Sequence, residues 1–348
     1  MSQKYRSVLI GVTGIGAGRS SDTPGIPVYD KVGGSHAAAY HKHPDTDLVA
    51  ICDLREDALQ KTKELWSDVW PDLKVYTDYQ EMLDKEQPDL VSVATSDHVH
   101  ADMTVAAAES GVRGILCEKP IATKLEDADR MIAACEAAGI PLSVDHTRRW
   151  DPNYLKAREI IQSGEIGELR TIVSEMFSRR AMLFRNGTHL IDVIVFFAGS
   201  SPEWVFAELE PGFEHFTEYK GDGGKDPATD PYASAYIHFQ NHVRAFFNAY
   251  KVDHPGSKNF LTCDKGRIEV TDHGLDLITA KSHWEWNTSN VRVEDYRATR
   301  QLGQLYEIID NIENGTELIS SGHEARKTTQ IMLGILDSHH AGNVRVNL

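Results

Sequence analysis

Cysteine is scarce in this chain. Only Cys52, Cys117, Cys135 and Cys263 occur in 348 residues, far apart and three of them inside predicted strands. That spacing suggests neither a disulfide framework nor a zinc knuckle. Long apolar runs are also missing: nothing approaches the roughly 18 residues that cross a membrane. The start, Met1-Ser2-Gln3-Lys4-Tyr5-Arg6, lacks the apolar core of a secretory signal. A cytoplasmic location and no membrane partner are therefore expected. Positive charge is the third shortage. Lysine and arginine number 36 against 52 aspartates and glutamates, a formal charge of -16 that opposes a phosphate backbone. No nucleic-acid partner is expected. A G-x-S-x-G turn is absent as well, which disfavours a hydrolase triad.

What is present suits two domains, each large enough to bury its own apolar centre. Residues 1–147 alternate strands and helices in the manner of a parallel, doubly wound sheet. Strands are predicted at 7–11, 48–52, 74–76, 90–94, 114–117 and 141–144, and apolar spacings of three and four mark helices at 57–66, 79–84, 101–109 and 125–138. Gly111 and Gly139 stand just past helix ends, where a left-handed cap is expected. Over residues 148–348 the pattern changes. A helix at 154–162 precedes period-two alternation at 169–177, 204–209, 233–239, 243–250, 258–263 and 267–271, the signature of an antiparallel sheet with one covered face. Helical patterns at 302–314 and 323–339 close the chain. The expected fold class is α/β: an N-terminal Rossmann doubly wound parallel sheet, then a C-terminal α+β domain with a large, mostly antiparallel open sheet.

The first predicted strand runs into Gly11-Val12-Thr13-Gly14-Ile15-Gly16-Ala17-Gly18. Glycines at such a turn let the backbone approach a pyrophosphate held by amides and a helix start. The spacing is not a clean G-x-G-x-x-G, since Thr13 takes the second glycine's place, and a plain strand-to-helix turn is the alternative. Asp53 strengthens the first option. It ends the second strand, where a carboxylate accepts both hydroxyls of an adenosine ribose, although the interval is about 40 residues instead of about 20. An insertion over residues 19–32, with Pro24 and Pro27, accounts for the excess. Arg55 suits a 2′-phosphate, so NAD is the expected cofactor and NADP the alternative. The apolar run Gly114-Ile115-Leu116-Cys117 then ends in Glu118-Lys119-Pro120. The proline cannot donate to the ladder and stops the strand, leaving Lys119 at the rim where open α/β sheets bind ligands. A rim lysine paired with a carboxylate is the plain alternative.

Further motifs complete the pattern: Thr95-Ser96-Asp97-His98-Val99-His100, Arg148-Arg149-Trp150-Asp151-Pro152, Gly164-Glu165-Ile166-Gly167, Gly187-Thr188-His189-Leu190-Ile191-Asp192, and the helices around Gly315 and Gly322-His323-Glu324. With these the chain resembles, nearly end to end, the glucose-fructose oxidoreductase / inositol dehydrogenase / rhizopine catabolism (Gfo/Idh/MocA) family. The resemblance implies a nicotinamide enzyme in which Lys119 and His189 handle the proton while hydride moves at a carbinol carbon of a sugar, cyclitol or related polyol. It implies a cofactor site of Gly11, Gly14, Ile15, Gly16, Asp53, Arg55, Thr95, His100, Glu118 and Lys119. Lys119, His146, Arg149, Arg185, His189 and Asp192 are expected at the substrate, and no metal is expected.

One position departs from the family pattern. Polyol-oxidising members often carry an aspartate four residues before this histidine, and here Arg185 stands there. With Arg149, Arg179 and Arg180 it suits a carboxylate, phosphate or sulfonate on the substrate, against the plain account of surface salt bridges. Asp97, His98 and His100 more readily hydrogen-bond than hold a metal. Trp284 and Trp286 and the uncovered sheet face suggest a homodimer or homotetramer through the C-terminal sheet. Two other functions share these residues: an NAD-dependent glycosidase working by transient oxidation, elimination and re-reduction, and a non-catalytic sugar sensor. Retention of both Lys119 and His189 speaks against the sensor.

Overall fold

The computed structural model describes residues 4–19, 32–221 and 226–348. Most of the expected insertion, residues 20–31, lies outside the described residues. The chain divides into two compact units, Met1–Trp150 with Arg297–His323, and Asp151–Tyr296 with Glu324–Leu348.

The first unit is built on six parallel strands, β1 (Tyr5–Ile10), β2 (Thr46–Cys52), β3 (Lys74–Tyr76), β4 (Leu90–Val93), β5 (Gly114–Cys117) and β6 (Leu142–Val144). They lie in the order β3-β2-β1-β4-β5-β6, that of a dinucleotide-binding sheet whose crevice opens where the order reverses. Helices α1 (His36–Lys42), α2 (Glu56–Leu65), α3 (Tyr79–Glu86), α4 (His100–Glu109) and α5 (Leu125–Ala138) connect them. The central strands are buried along their whole length, which is why they read as continuous apolar runs. Local signals fix the helix ends: Asp78 caps α3 by accepting from the Gln80 and Glu81 amides, and Gly139 caps α5 at φ 68°.

The expected boundary at residue 148 needs a correction for one segment. Helix α8 (Arg300–Asn314) belongs to the first unit, because its apolar stripe of Leu302, Leu305, Ile308 and Ile309 packs with Tyr5, Tyr40 and Leu116. The fit is close. A Cβ on Gly303 would stand 2.7 Å from the Cβ of Trp150, so only glycine permits this approach.

The second unit begins with α6 (Pro152–Ser163), capped by Asp151 with proline in its first turn. Its sheet has nine strands: β7 (Leu169–Phe177), β8 (Pro202–Leu209), β9 (Ala233–Phe239), β10 (Arg244–Tyr250), β11 (Gly256–Cys263), β12 (Gly266–Thr271), β13 (Gly274–Ala280), β14 (Trp286–Asn290) and β15 (Val346–Asn347). The order is β14-β13-β12-β11-β7-β10-β9-β8-β15. Every pairing is antiparallel except β7 with β10. One face packs on α7 (Thr188–Ala198) and on Ile331, Met332, Ile335 and Leu336 of α9 (Gly322–His340). The other face carries the half-buried and exposed members of the alternation.

Candidate active site

Five of the six strands of the first unit deliver a functional residue immediately after their last ladder bond. The Gly11 amide donates to Cys52 O at 2.8 Å, Asp53 N to Tyr76 O at 3.2 Å, Ala94 N to Ile10 O at 2.7 Å, Glu118 N to Val93 O at 2.9 Å and Asp145 N to Cys117 O at 2.8 Å. Five strand exits therefore form one edge holding Gly11, Asp53, Thr95, Glu118-Lys119 and Asp145-His146. This is the carboxyl edge where such sheets bind ligands.

Glycine is required at the first exit by contact. A Cβ on Gly11 (φ 90°) would lie 2.4 Å from Ala94 O, and one on Gly16 would lie 2.0 Å from Gly11 O. At Gly14 (φ 56°) the same atom would meet nothing, so the loop turns an open backbone face outward. The segment after it begins a helix that α1 completes. Gly16 N bonds Thr13 O, Gly18 N bonds Gly14 O, and then His36 N and Ala37 N bond Ile15 O and Gly16 O at 3.1 and 3.0 Å. The insertion thus interrupts one helix whose first turn is the glycine loop. Ser35 joins the halves, donating to Gly18 O at 2.6 Å and accepting from Ala38 N at 3.1 Å. This cradle, closed to a Cβ behind and open in front, fits the pyrophosphate of a dinucleotide.

Asp53 is fixed from two sides. Val12 N donates to Oδ2 and Arg55 N to Oδ1, each at 3.0 Å. The Arg55 guanidinium turns to Asp57, at 2.7 and 3.2 Å, and holds that carboxyl below the usual range. Thr95 sits against the loop, its Cγ2 3.0 Å from the position of a Gly11 Cβ. His100 is buried, with Nδ1 3.1 Å from Pro120 O and Nε2 3.3 Å from Thr95 O. Both ring nitrogens thus serve backbone carbonyls, tying the β4 exit to the Glu118-Lys119-Pro120 turn. Burial opposes the charge on this ring, but Cys117, Asp97 and the Thr95 carbonyl outweigh it and push the imidazole up to about 10.

Lys119 is half-buried, and its peptide bond to Pro120 is cis. Beneath it runs a buried polar chain that the motifs do not announce. Tyr40 OH lies 2.7 Å from Ser92 Oγ, Ser92 Oγ 3.0 Å from His36 Nδ1, and His36 Nε2 3.3 Å from Glu118 Oε1. Gln301, from α8, donates to Asp145 Oδ2 at 2.6 Å. The signals for this chain are faint: His36 and Tyr40 stand four apart on one helical face, and Ser92 is a polar residue inside an apolar strand. Gln301 gives none, being 156 residues from its partner. His146 and Arg149 are also buried in this unit, and the Arg149 guanidinium donates to Ile319 O.

In the second unit, His189 is half-buried while every other residue of α7 is buried. Asp192, one turn on, is fully buried and accepts from Thr328 Oγ1 of α9 at 3.2 Å. Arg185 lies on the turn Leu183–Gly187, which Asp230 anchors by accepting from the Phe184 and Arg185 amides at 3.0 to 3.2 Å. Burial, and then the nearby Arg185, hold the Arg180 guanidinium below its ordinary value. Arg179 pairs with Asp253 at the surface.

Comparison with known proteins agrees with this geometry. Residues 28–146 match the profile of an oxidoreductase family with an NAD-binding Rossmann fold, Gfo/Idh/MocA, and residues 154–269 match the C-terminal domain of the same family. D-apiose dehydrogenase of Paraburkholderia graminis is 32% identical over 180 residues, 47% of this chain and 46% of the relative. Myo-inositol 2-dehydrogenase of Thermotoga maritima is 33% identical over 144 residues, 41% of this chain and 42% of the relative. The chain thus spans less than half the length of these curated relatives. An Agrobacterium radiobacter oxidoreductase solved with NAD+, L-tartaric acid and magnesium superposes with a TM-score of 0.74 at 19% identity, covering 99% of this chain and 98% of that one. At this identity it shows the shared fold. With both domain profiles matched and the six parallel strands in dinucleotide-binding order, the chain belongs to the Gfo/Idh/MocA oxidoreductase family.

Proposed function

We propose that the protein is an NAD-dependent dehydrogenase acting on a CH–OH group of a sugar, cyclitol or related polyol. The observation that carries this is Lys119, delivered at the β5 exit on the same sheet edge as the glycine cradle and the Asp53 exit. When bound, the nicotinamide accepts or returns hydride at the carbinol carbon. Gly11, Gly14 and Gly16 let the backbone meet the pyrophosphate. Asp53 accepts the ribose hydroxyls, and its negative charge, with Arg55 engaged by Asp57, favours NAD over NADP. Lys119 holds a proton at its ammonium for the substrate oxygen and steadies the developing alkoxide, and His189 is the second proton station. Dehydrogenases named for D-apiose and myo-inositol among the relatives support the substrate class.

The substrate carries an acidic group bound by Arg185. Its support is the neighbouring, partly desolvated Arg180, because two guanidiniums close together are stabilised by a shared anion. The enzyme assembles through the open face of the nine-stranded sheet. Trp204, Tyr236 and Phe246 form a row there with ring centroids 5.0 Å apart, and Phe206, Phe246 and Tyr250 are 45%, 43% and 48% exposed. A second copy is the occupant whose own aromatic row matches this one.

NADH fluorescence with neutral and anionic sugars and polyols, with and without a leaving group, tests the activity. Accumulating NADH supports the dehydrogenase. Aglycone released without net NADH identifies the glycosidase route instead, and silence across the panel removes both.

A further inference from the structure

The polar chain beside Lys119 contains two buried carboxyl groups, Glu118 and Asp145. One side-chain nitrogen or oxygen from each of His36, Glu118 and Asp145 lies within 4.8 Å of the other two, and all three residues are buried, as are Tyr40, Ser92 and Gln301 around them. Two like charges in such a place cannot both ionise without a large cost. The hydrogen bonds show how the cost is avoided. Glu118 is supplied with donors: His36 Nε2 faces Oε1, and the Lys119 amide donates to Oε2 at 3.3 Å. Asp145 receives only Gln301, on Oδ2, while its buried Oδ1 finds no donor among the described residues. As a carboxylate that oxygen is orphaned. As a carboxylic acid Asp145 becomes a donor, and Glu118 is the acceptor beside it.

We propose that Glu118 and Asp145 hold one proton between them, and that this singly charged pair is a positioning device for Lys119. The titration tendencies agree. Burial, and then the Glu118 charge, push the Asp145 carboxyl well above the usual range. Glu118 moves the other way, since its His36 bond and the Lys119 charge outweigh burial. One negative charge balances one ammonium. A second, gained when Asp145 ionises at high pH, holds Lys119 back from a substrate oxygen, and the loss of both removes the negative charge that Glu118 places beside it. His36 and Tyr40 on α1, Ser92 on β4, Lys119 itself and Gln301 on α8 are the groups that face the pair. Glu118 and Asp145 are thus positioning residues, and this consequence for Lys119 rests on the dehydrogenase function proposed above.

Asp145→Asn is the informative substitution, because its amide donates to Glu118 and accepts from Gln301 as the protonated acid does. Infrared spectra of the purified protein in H2O and D2O should show a protonated carboxyl stretch at about pH 8 that is present in wild type and missing in Asp145→Asn. Kinetically, the basic limb of the kcat profile should move to higher pH in Asp145→Asn. Glu118→Gln should lower kcat at least tenfold with KM little changed. Should Asp145→Asn not fold, Glu307→Gln keeps the test open, since it removes the other carboxyl that burial raises and must still leave one protonated carboxyl at that pH. No such band in either protein, or an unmoved basic limb in Asp145→Asn, overturns the proposal. The infrared result does not depend on turnover: a band in a protein inert to every substrate would count against the dehydrogenase alone, and an active enzyme without the band would count against the pair alone.

Discussion

The two sheets of this protein place their chemistry in opposite ways. The central parallel strands are buried on both faces, which leaves their ends to carry chemistry, and Gly11, Asp53, Thr95, Lys119 and His146 all stand at strand ends. The nine-stranded sheet is covered on one face, so its accessible surface is a face, and an aromatic row occupies it. Parallel strands need crossover helices that bury both sides, whereas hairpins leave a side open. A doubly covered sheet therefore concentrates function at an edge and a singly covered one offers an interface. In the second unit, His189 is the one residue of α7 that is not buried.

Substitutions at the edge and on the face should fail differently. The largest effect is expected at Lys119: Lys119→Ala should cost roughly 100-fold or more in kcat while NAD affinity, read by fluorescence titration, survives. His189→Ala should follow it. A Lys119→Ala enzyme keeping more than about a tenth of wild-type kcat would falsify the proton-relay role. On the face, Phe246→Glu should leave NAD binding intact and convert the assembly to monomers in light scattering, because a charge would have to be buried against a second copy. An unchanged mass would show that this face is not the interface.

Smaller effects sharpen the same contrast. Arg185→Gln should raise KM for an anionic sugar by the roughly 1.5 to 3 kcal/mol of a charge-assisted hydrogen bond, with neutral substrates little altered. Equal losses for both would mark Arg185 as structural. Asp53→Ser should lower the ratio of NAD to NADP efficiency by about tenfold, the order of one charged hydrogen bond. A constant ratio would move cofactor selection elsewhere.

The smallest effect concerns stability alone. Burial pushes Glu307 up to about 7, against its bond from the Ile319 amide at 2.8 Å. A carboxyl raised on folding stabilises below its unfolded value and loses that contribution as pH rises through about 7. The thermal midpoint should therefore fall between about pH 5 and about pH 9 in wild type, and fall less in Glu307→Gln. Parallel curves would show that Glu307 is ionised at neutral pH.

Much of the architecture was legible because strong periodicities carry it. The five exits Gly11, Asp53, Thr95, Glu118 and Asp145 follow apolar runs whose ends the sequence marks by glycine, proline or charge. Strands β13 and β14 were not expected from the sequence: β13 is mostly half-buried, and β14 is exposed along its whole length and carries no alternation. His146 and Arg149 were expected at the substrate, and the structure buries both within the first unit, the Arg149 guanidinium on a backbone carbonyl.

By itself the sequence determined the alternation of parallel strands and helices, the glycine cradle, the acid at the second exit and the lysine at the fifth, because each depends on neighbours along the chain. Tertiary structure alone decided which distant residues complete them. Helix α8 leaves the second half of the chain to pack on the first sheet, bringing Gln301 to Asp145. Helix α1 brings His36 to Glu118 across an insertion. Those partners share no local pattern with the groups they bind, and their pairing comes from burial, which forces polar side chains to find one another wherever the fold carries them.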